Sequence, residues 1–423
     1  MEVPRPTLEV LERTRRGEVI DPADITALVG AWATGAASDA QMAAWCATAG
    51  IRGASYEVAK ALAEGLLAGG DRLELASLGP TTDIRSTGGV GDSALIFAAS
   101  AVAAALGVIV ASTGARGLSF TGGILDALEA IPGMRVDVTL EEYVLQARNF
   151  GIVIAEPGDR LVPGERRLAD LRESTATAEG DTLVAVSAAV RAVSGGSTTV
   201  VVEAPGGSGG LLADTQHAAV AAALITRLGA DWHRRVHAEA TLRAVPLAGV
   251  AGPGLEIVAG ASVLLGEGDP HLVDRVAALA GRAAEESGVL DTGGADAARA
   301  AIADGRALAT AERWVEAQGG DPAALSEPDL ILTCLLKREV VAAHAGSVDH
   351  VDAAGIGTAV RWLGGGRLDP DQVLDHAVGV QMLVGPGESV EAGQTLAIVH
   401  ASDDWLAGRA EELLGDAWVI TGA

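Results

Sequence analysis

The distribution of apolar residues divides the chain into three regions. Residues from about 8 to 70 show short patterns with helical spacing, as in Asp24-Ile-Thr-Ala-Leu-Val, where apolar side chains follow an acidic start. Asp39 is a predicted N-cap, and Gly69-Gly70 ends this helical region. From about residue 80, apolar strands alternate with helices, a pattern typical of parallel βαβ units.

The middle and final regions differ in the length and spacing of their strands. The strands predicted in the middle region are Val108–Ser112, Ile152–Ala155, Thr198–Val202 and Ala238–Val245. Between them Gly164–Val193 is predicted to be helical, and the acidic, Ala-rich stretch Leu290–Glu316 predicts solvated helices. From about residue 340, short strands with glycine turns predict a small β-rich domain; they are Gly346–His350, Gly379–Gly385 and Leu396–His400.

Two glycine-rich turns next to apolar runs are the main candidates for a binding site. The first is Ser86-Thr-Gly-Gly-Val-Gly-Asp92, and the second is Arg116-Gly-Leu-Ser-Phe-Thr-Gly-Gly-Ile-Leu-Asp126. Glycines let a backbone approach a ligand closely, and the N–H groups of a following helix favour an anion. Neither turn has the spacing of a Walker loop or a dinucleotide fingerprint, and each alone is also compatible with an ordinary tight turn.

Composition limits the classes of partner. The 423 residues are enough for two or three domains, and with 49% hydrophobic but only 3% aromatic residues, small aliphatic side chains must fill the cores. The net charge of −26 makes nucleic acid and anionic membranes poor partners. An anionic substrate would require a local arginine cluster. We expect a small-molecule ligand.

The cysteines and the charge-free run argue for a cytoplasmic protein. Cys46 and Cys334 stand in apolar surroundings without metal-ligand spacing, so we expect buried, reduced thiols. The opening residues lack the apolar region of a signal peptide. Ala94–Ala111 carries no charge, yet it is Ala-rich and interrupted by Gly107, which favours a buried helix followed by a strand over a membrane span.

Metal and cofactor signals are weak in this sequence. His233 and His237 have the i, i+4 spacing of metal ligands on a possible helix, but no third ligand is evident, and surface histidines explain the pair better. His400 is interpreted as structural. We expect no metal and no cofactor.

The order of the motifs identifies a family resemblance. The two glycine turns, Leu128-Glu-Ala-Ile-Pro-Gly133 and Arg172-Glu-Ser-Thr-Ala-Thr177 follow one another as in the thymidine and pyrimidine nucleoside phosphorylases. Asp39-Ala-Gln-Met-Ala-Ala44 resembles the N-terminal helical domain of that family. Two later segments resemble its C-terminal domain; they are Gly357–Arg367 and Val390–His400. The resemblance runs from about Asp24 to about Ser402.

The resemblance implies an α/β fold with three domains. An N-terminal helical domain of residues 1–72 plus 164–195 would form a homodimer and carry the base-binding helix. A larger α/β domain with a mainly parallel central sheet would span 73–163 plus 196–335. A small β-rich α+β domain would span 336–423. The site would then lie in the cleft between the first two domains.

The residues that the family uses to hold phosphate are largely changed here. The resemblance places Ile84 where the family has Lys, Leu95 where it has Ser or Thr, although Ser93 lies nearby, and Ile124 where it has Thr. Ser86 is retained, together with Gly88 and Gly89 of its turn, and Ser112 or Thr113 stands near a further family serine. Another family lysine falls on Pro205. Branched apolar side chains in these places would leave a phosphate dianion without charge-assisted contacts.

The base-binding residues are better preserved. The resemblance assigns Arg172 and Ser187 to the pyrimidine, with Arg191 in place of a Lys and Arg85 in place of a His. Ala169 falls where a Tyr would line the base, which predicts a wider pocket, and Ala259 falls on the metal-binding Glu of some members. With Arg172, Arg191 and Arg85 as candidate catalytic residues, three guanidiniums around one ring would favour an acidic or extended base.

Structural interpretations of the arginines remain open at this stage. Arg172 can instead pair with Glu173 or a neighbour, Arg191 can be a solvated helix residue, and Arg85 can pair with Asp83 or Asp92. The principal hypothesis is an enzyme that acts on the N-glycosidic bond of a pyrimidine nucleoside, with phosphate or with another acceptor in a specialised biosynthetic pathway. The alternatives are a catalytically inactive nucleoside-binding or regulatory paralogue and a structural dimer.

Overall fold

The structure is a computed structural model that describes residues 5–114, 116–117, 120–158, 160–334, 336–368 and 372–422. Residues 1–4, Leu118 and Ser119 of the second glycine turn, and part of the segment that follows Arg367 lie outside these ranges. The helices in the described ranges are α1 Thr7–Arg16, α2 Pro22–Ala33, α3 Asp39–Arg52, α4 Tyr56–Leu67, α5 Asp92–Ala105, α6 Ile124–Leu128, α7 Leu140–Phe150, α8 Pro163–Ser174, α9 Asp181–Ser194, α10 Thr215–Asp231, α11 Pro253–Leu264, α12 Pro270–Glu286, α13 Gly294–Ala303, α14 Arg306–Ala317, α15 Ala353–Leu363 and α16 Asp404–Leu414. The strands are β1 Thr82–Ser86, β2 Val110–Thr113, β3 Asp137–Val138, β4 Ile152–Pro157, β5 Thr199–Gly206, β6 Arg235–Leu242, β7 Val250–Ala251, β8 Leu336–Val341, β9 Gly346–Val351, β10 Gly379–Met382, β11 Ser389–Val390, β12 Thr395–Ala401 and β13 Trp418–Thr421.

Three of the N-terminal helices, α2, α3 and α4, begin at polar caps. Ser38 and Gln41 form a capping box at the start of α3, so the N-cap is Ser38 and the prediction of Asp39 was wrong by one residue. The Asp39 carboxylate instead accepts hydrogen bonds from Trp32 and Arg167, both at 2.7 Å, and these lower its pKa. Helices α8 and α9 pack back against α3 and α4, as the resemblance implied.

A six-stranded parallel sheet forms the centre of the molecule. Its order is β3-β4-β2-β1-β5-β6, with Ile84 opposite Val201 and Ser112 opposite Ile154 in register. Strands β2 and β5 are buried along their whole length, which explains their apolar runs Val110–Ala111 and Val200–Val202. Strand β6 starts at Arg235, three residues before the predicted Ala238, because it is an edge strand with an alternating rather than a continuous apolar pattern.

Helix α5 and strand β2 account for the charge-free run. The helix is buried on all sides from Asp92 to Ala103, and β2 follows at Val110 after a turn at Gly107. Within the described ranges no helix is both long and apolar enough to cross a membrane.

The prediction of solvated helices over 290–316 was wrong in part, because α13 and α14 bury one face. Trp314 is fully buried and stacks on Phe97 with ring centroids 5.4 Å apart.

The C-terminal region contains two small antiparallel sheets. Their strand orders are β7-β10-β12-β8 and β11-β9-β13. These sheets, together with the helical N-terminal region and the parallel central sheet, confirm the predicted fold class.

The cysteines and histidines named from the sequence lie in different surroundings. Cys46 is buried but Cys334 is only partly buried, so the expectation of two buried thiols holds for Cys46 alone. His400 lies buried on β12. His233 has a positive φ of 58° in the turn after α10, so His233 and His237 do not share a helix.

Candidate active site

A cavity opens at the carboxyl ends of strands β1 and β2, and helix α9 lines another part of it. Its empty space is about 880 Å³, including the part that is open to solvent. Such a place, at the carboxyl ends of parallel strands, is where α/β proteins bind ligands. The predicted site residues that line it are Ile84, Arg85, Ser86, Gly88, Gly89, Ser112, Thr113, Ile124, Arg172, Ser187 and Arg191.

The first glycine turn links β1 to α5 under steric constraint. Gly88 and Gly91 have φ of 110° and 88°, which L side chains rarely adopt. A Cβ on Gly89 would lie 2.8 Å from the carbonyl oxygen of Gly209. The segment around Gly209 therefore supports the first glycine turn directly, and the N–H of Val90 donates to the Gly209 carbonyl at 2.7 Å.

Ser86 and Asp92 join the two ends of the first turn. The Ser86 hydroxyl is hydrogen-bonded to Asp92 Oδ2, and Ser86 Oγ accepts the N–H of Gly88 at 3.1 Å. Burial raises the pKa of Asp92 to about 6, against the opposing effect of the Arg243 guanidinium. Arg243 Nη2 lies 2.8 Å from Asp92 Oδ1 in an ion pair that is not aligned as a hydrogen bond.

Glu256 occupies the N-terminus of α5. One of its carboxylate oxygens accepts the N–H of Ser93 at 3.0 Å, and the other accepts the N–H of Gly252 at 3.2 Å. Glu256 is buried, and burial raises its pKa to about 7. The backbone donor of Ser93, which would otherwise favour an anion at the helix N-terminus, is therefore already used.

The three apolar residues that stand where the family resemblance has polar ones occupy different places. Ile84 and Ile124 line the cavity, whereas Leu95 is fully buried on α5 and does not. Ser112 Oγ accepts the N–H of Ile84 at 3.0 Å, and Thr113 Oγ1 donates to the Arg191 carbonyl at 3.4 Å. We call Ile84, Ser86, Ser93, Ser112 and Ile124 the glycine-loop side of the cavity. Its polar groups are largely bonded to the protein itself.

Arg172 is fully buried on the opposite side of the cavity. It donates to Ser187 Oγ at 2.9 Å, to the carbonyl of Thr177 at 3.1 Å and to that of Leu183 at 3.3 Å, with a further bond to Ala178. Burial lowers its pKa. Among the described residues no carboxylate forms an ion pair with it, Glu173 included. We call Arg172 and Ser187 the arginine side.

Arg85 and Arg191 are each paired with a carboxylate of the protein. Arg85 binds Asp83, through Nε at 3.0 Å and through a second, shorter bond from Nη2. Burial raises the pKa of Asp83 although Arg85 opposes the shift. Arg191 Nε lies 2.6 Å from Oε2 of Glu165, whose side chain is 0% exposed. The premise of three guanidiniums free to bind an acidic base therefore does not hold.

The second glycine turn is held by Asp126 and by the C-terminal region. Asp126 accepts the N–H groups of Gly117 at 2.9 Å and Gly123 at 2.8 Å. Arg367 binds both oxygens of the same carboxylate at 2.7 Å, and these bonds lower the pKa of Asp126 despite its burial. Arg367 of the C-terminal region thus fixes a cavity wall, although none of the C-terminal residues that the structure describes lines the cavity.

Three parts of the chain match known families. Residues 8–70 match the helical bundle domain of a glycosyl transferase family, and residues 78–163 match the a/b domain of such a family. Residues 347–421 match the pyrimidine nucleoside phosphorylase C-terminal domain. The chain is 32% identical to thymidine phosphorylase from Mesorhizobium japonicum over 398 residues, which cover 93% of this chain and 90% of the relative. The chain belongs to the thymidine and pyrimidine-nucleoside phosphorylase family.

Other similarities agree with this family. Pyrimidine-nucleoside phosphorylase from Geobacillus stearothermophilus is 28% identical over 399 residues, with 93% of this chain and 92% of the relative covered. Among solved structures, anthranilate phosphoribosyltransferase from Thermus thermophilus has a TM-score of 0.56 at 22% identity, covering 73% of this chain and 99% of the other. That likeness shows a shared fold.

Two residues expected to shape the site of this family member lie elsewhere. Ala169 is buried within α8 and does not line the cavity, so the expected widening at this position is not seen. Ala259 is on α11 and only partly buried. The described residues contain no group of three His, Cys, Asp or Glu side chains placed to bind a metal.

Sequence reasoning missed Glu165 and Arg243. Glu165 follows Pro163 in the first turn of α8 and has the pattern of an ordinary acidic residue at a helix start. Arg243 is distant in sequence from both glycine turns. For Arg243, an aliphatic context around a lone charge was the only available signal, and it was too weak to indicate a buried ion pair.

Proposed function

We propose that this protein is a pentosyltransferase that cleaves the N-glycosidic bond of a pyrimidine nucleoside or a close analogue, with weak or no dependence on phosphate. The observation that supports this most directly is that Arg172, without an ion-pair partner among the described residues, faces the same cavity as Ile84 and Ile124. The relatives named as thymidine and pyrimidine-nucleoside phosphorylases support the substrate class.

The proposed chemistry places the two sides of the cavity in separate roles. When the C–N bond breaks, the electron pair leaves with the base, and the pyrimidine carbonyl gains negative charge. Arg172 can stabilise that charge, and Ser187 can contact the ring edge. Arg85 and Arg191, already neutralised by Asp83 and Glu165, would shape this side of the cavity rather than add net charge, which favours a neutral pyrimidine.

The glycine-loop side argues against a phosphate dianion. Transfer of such an ion against Ile84 and Ile124 would cost on the order of several kcal/mol without new hydrogen bonds. The backbone N–H of Ser93 and the hydroxyl of Ser112 are directed at protein groups. The chain has two lysines, Lys60 and Lys337, and neither lines the cavity.

The proposal is tested by base release from uridine, thymidine and 2′-deoxyuridine with and without phosphate. We expect release at a rate that phosphate changes little. Efficient, saturable phosphorolysis would contradict the proposed acceptor. Tight nucleoside binding without release would instead favour the nucleoside-binding paralogue.

We further propose that the protein is a cytoplasmic homodimer that forms through α1 and α3. Leu8 and Ile51 on these helices are 65% and 86% exposed, which is typical of a surface that a partner covers. The division into domains at 1–72 plus 164–195, 73–163 plus 196–335 and 336–423 belongs to the same proposal. Light scattering should give twice the chain mass of 42.5 kDa, and Ile51→Asp should reduce it.

A further inference from the structure

Strand β6 lies at one end of the central sheet and has one open side. It is the last strand in the order β3-β4-β2-β1-β5-β6, and among the described residues β5 is the strand with which it pairs. The N–H of Arg235 donates to the carbonyl of Thr198, immediately before β5, at 3.0 Å. Because main-chain groups alternate along a strand, those of Val236, Ala238 and Ala240 are directed away from β5. This side of β6 presents main-chain donors and acceptors to which another strand can bind.

The open side of β6 is accessible to a partner. Val236, Ala238 and Ala240 are partly exposed. Leu242 at the end of the strand is 64% exposed, and Val220 on the neighbouring helix α10 is 53% exposed. Between α10 and β6 lies a groove of about 810 Å³, including the part that is open to solvent, and Ala238 and Ala240 line it. A strand that binds to this edge therefore has room for its side chains.

The charged residues of β6 limit which strand can bind there. Arg235 and Glu239 lie on the face of the strand that meets α12, with His237 between them. Arg235 Nη1 donates to the carbonyl of Glu286 at 2.6 Å, and Glu239 Oε2 lies 3.5 Å from Arg275. Both side chains keep further donors or acceptors for a neighbour. Charges on an edge strand discourage pairing, unless the incoming strand carries the opposite charges in the matching positions.

A second copy of β6, running antiparallel, carries those charges in the matching positions. When a two-fold axis passes through the pair formed by His237 and its copy, Arg235 of each chain stands opposite Glu239 of the other. Val236 and Ala238 then form the hydrogen-bonded pairs, as the outward direction of their main-chain groups requires. The charged residues fall on the non-hydrogen-bonded pairs, where facing side chains are closest. A register centred on Glu239 would instead place two carboxylates opposite each other.

We propose that β6 is an interface between two copies of this chain, paired antiparallel about His237, so that two six-stranded sheets join into one continuous sheet. This contact is separate from the homodimer proposed through α1 and α3, and it does not depend on the proposed function. Together the two contacts would give a closed tetramer. The edge contact is small, so we expect its dissociation constant to be on the order of 10⁻⁴ M, with the dimer prevailing at micromolar concentration.

A single cysteine at the proposed axis tests the register. In His237→Cys the two thiols would face each other in a non-hydrogen-bonded pair, where the Cα atoms lie about 4.5 Å apart, within the range of a disulfide. Under mild oxidation we expect covalent dimers to form at least about tenfold faster than in Thr241→Cys, because only the first cysteine meets its own copy. Thr241 lies on the same strand and the same face, and it is also partly exposed.

Two precautions separate this disulfide from other contacts. Both variants carry Ile51→Asp as well, so that the contact through α1 and α3 does not bring the chains together. Cys46 and Cys334 are present in both and give the same background. The reaction is run at about 0.15 M salt, because screening over a Debye length of about 8 Å limits the repulsion between chains of net charge −26. Non-reducing electrophoresis measures the rates.

Charge reversal tests the pairing without a covalent bond. In sedimentation velocity over a range of concentrations, Glu239→Arg should weaken the association at least about tenfold, because it creates like-charge pairs on both sides of the axis. The double variant Arg235→Glu with Glu239→Arg has the net charge of the wild type, and it restores opposite charges if the two positions face each other. Its association should therefore return. Asp296→Arg, at a side chain that is 93% exposed, changes the net charge as Glu239→Arg does and should not weaken the association.

The remaining outcomes overturn the proposal. Equal crosslinking rates at positions 237 and 241 would show that the chains meet without this register, and a charge exchange that fails to restore association would show that the two positions do not face each other. If β6 instead takes up an extended peptide of another protein, the purified chain will show neither the disulfide nor a response to the charge variants. Should Glu239→Arg fail to fold in thermal unfolding, Arg235→Glu creates like-charge pairs in the same way and replaces it.

Discussion

The two sides of the cavity satisfy their polar groups in different ways. On the arginine side, Arg172 is buried with hydrogen bonds to neutral oxygens and with no ion-pair partner among the described residues. On the glycine-loop side, Ser86 and the N–H of Ser93 are bonded to Asp92 and Glu256. A buried cation without a counter-charge is suited to a ligand that develops negative charge, whereas a self-satisfied loop is not suited to an anion. Among the described residues, one side of the cavity therefore holds a buried cation bonded to neutral oxygens, and on the other side Ser86 and the N–H of Ser93 are paired with carboxylates.

The largest expected effect concerns the arginine side. Arg172→Ala should reduce kcat/KM for base release by about 10²- to 10³-fold, because the developing charge on the pyrimidine loses its donor. Steady-state kinetics measures this, with thermal unfolding to verify the fold and Arg135→Ala, at an exposed residue, as the control. A loss of less than about fivefold would contradict the assigned role, since a donor to the transition state is worth far more than that.

The next effect is on stability and concerns the glycine-loop side. The pKa of Glu256 is raised in the folded state, from 4.5 to about 7, so its contribution to folding is full below pH 4.5 and is lost as the pH rises through 7. Relative to the wild type, Glu256→Gln should therefore gain stability between pH 4.5 and pH 8, by roughly 3 kcal/mol at most. Urea unfolding at both pH values measures the change. A difference between the two proteins that does not vary with pH would show that Glu256 titrates normally.

A smaller effect is expected when a second guanidinium in the cavity, that of Arg191, loses its carboxylate partner. Glu165→Gln removes the partner of Arg191, so an acidic pyrimidine such as orotate should gain about tenfold in affinity relative to uracil. In the wild type, orotate should bind no better than uracil. Calorimetry measures both ratios, with Glu312→Gln on the exposed face of α14 as the control. Preferential orotate binding by the wild type would mean that Arg191 already reaches the ligand.

The smallest expected effect is on phosphate use. Ile84→Lys alone should raise phosphate-dependent turnover by less than about threefold, because Ile124 is apolar and the N–H of Ser93 and the hydroxyl of Ser112 are already bonded to the protein, which leaves phosphate oxygens unpaired. Base release measured against phosphate concentration gives the answer. A large rise from this single change would show that the glycine-loop side needs only one cation.

Much of the fold was predictable from local signals. The strands β2, β4 and β5 follow from continuous apolar runs, and the turns of the first glycine motif follow from its glycines. The errors occurred where burial depends on distant partners. Trp314 and its helix were interpreted as solvated because the acidic residues on the outer face of the stretch concealed the face that packs on α5.

The candidate site was predictable only in part. Twelve site residues were predicted from the family resemblance. Eleven of them line one cavity, whereas Leu95 lies in the core. The ion-pair partners of the cavity arginines could not be decided from the sequence. An arginine that is available to a ligand and one that is paired with Glu165 or Asp83 have the same sequence pattern. Only the geometry distinguishes Arg172 from Arg85 and Arg191.

The bond between Arg367 and Asp126 has a consequence for exchanging parts between related proteins. The backbone of the second glycine turn depends on a carboxylate whose counter-charge comes from the far end of the chain. A chimera that takes its C-terminal third from a relative without an arginine at this place would inherit every cavity-lining residue and still misplace the turn. An exchange of segments with this chain therefore requires that Arg367 and Asp126 come from the same parent.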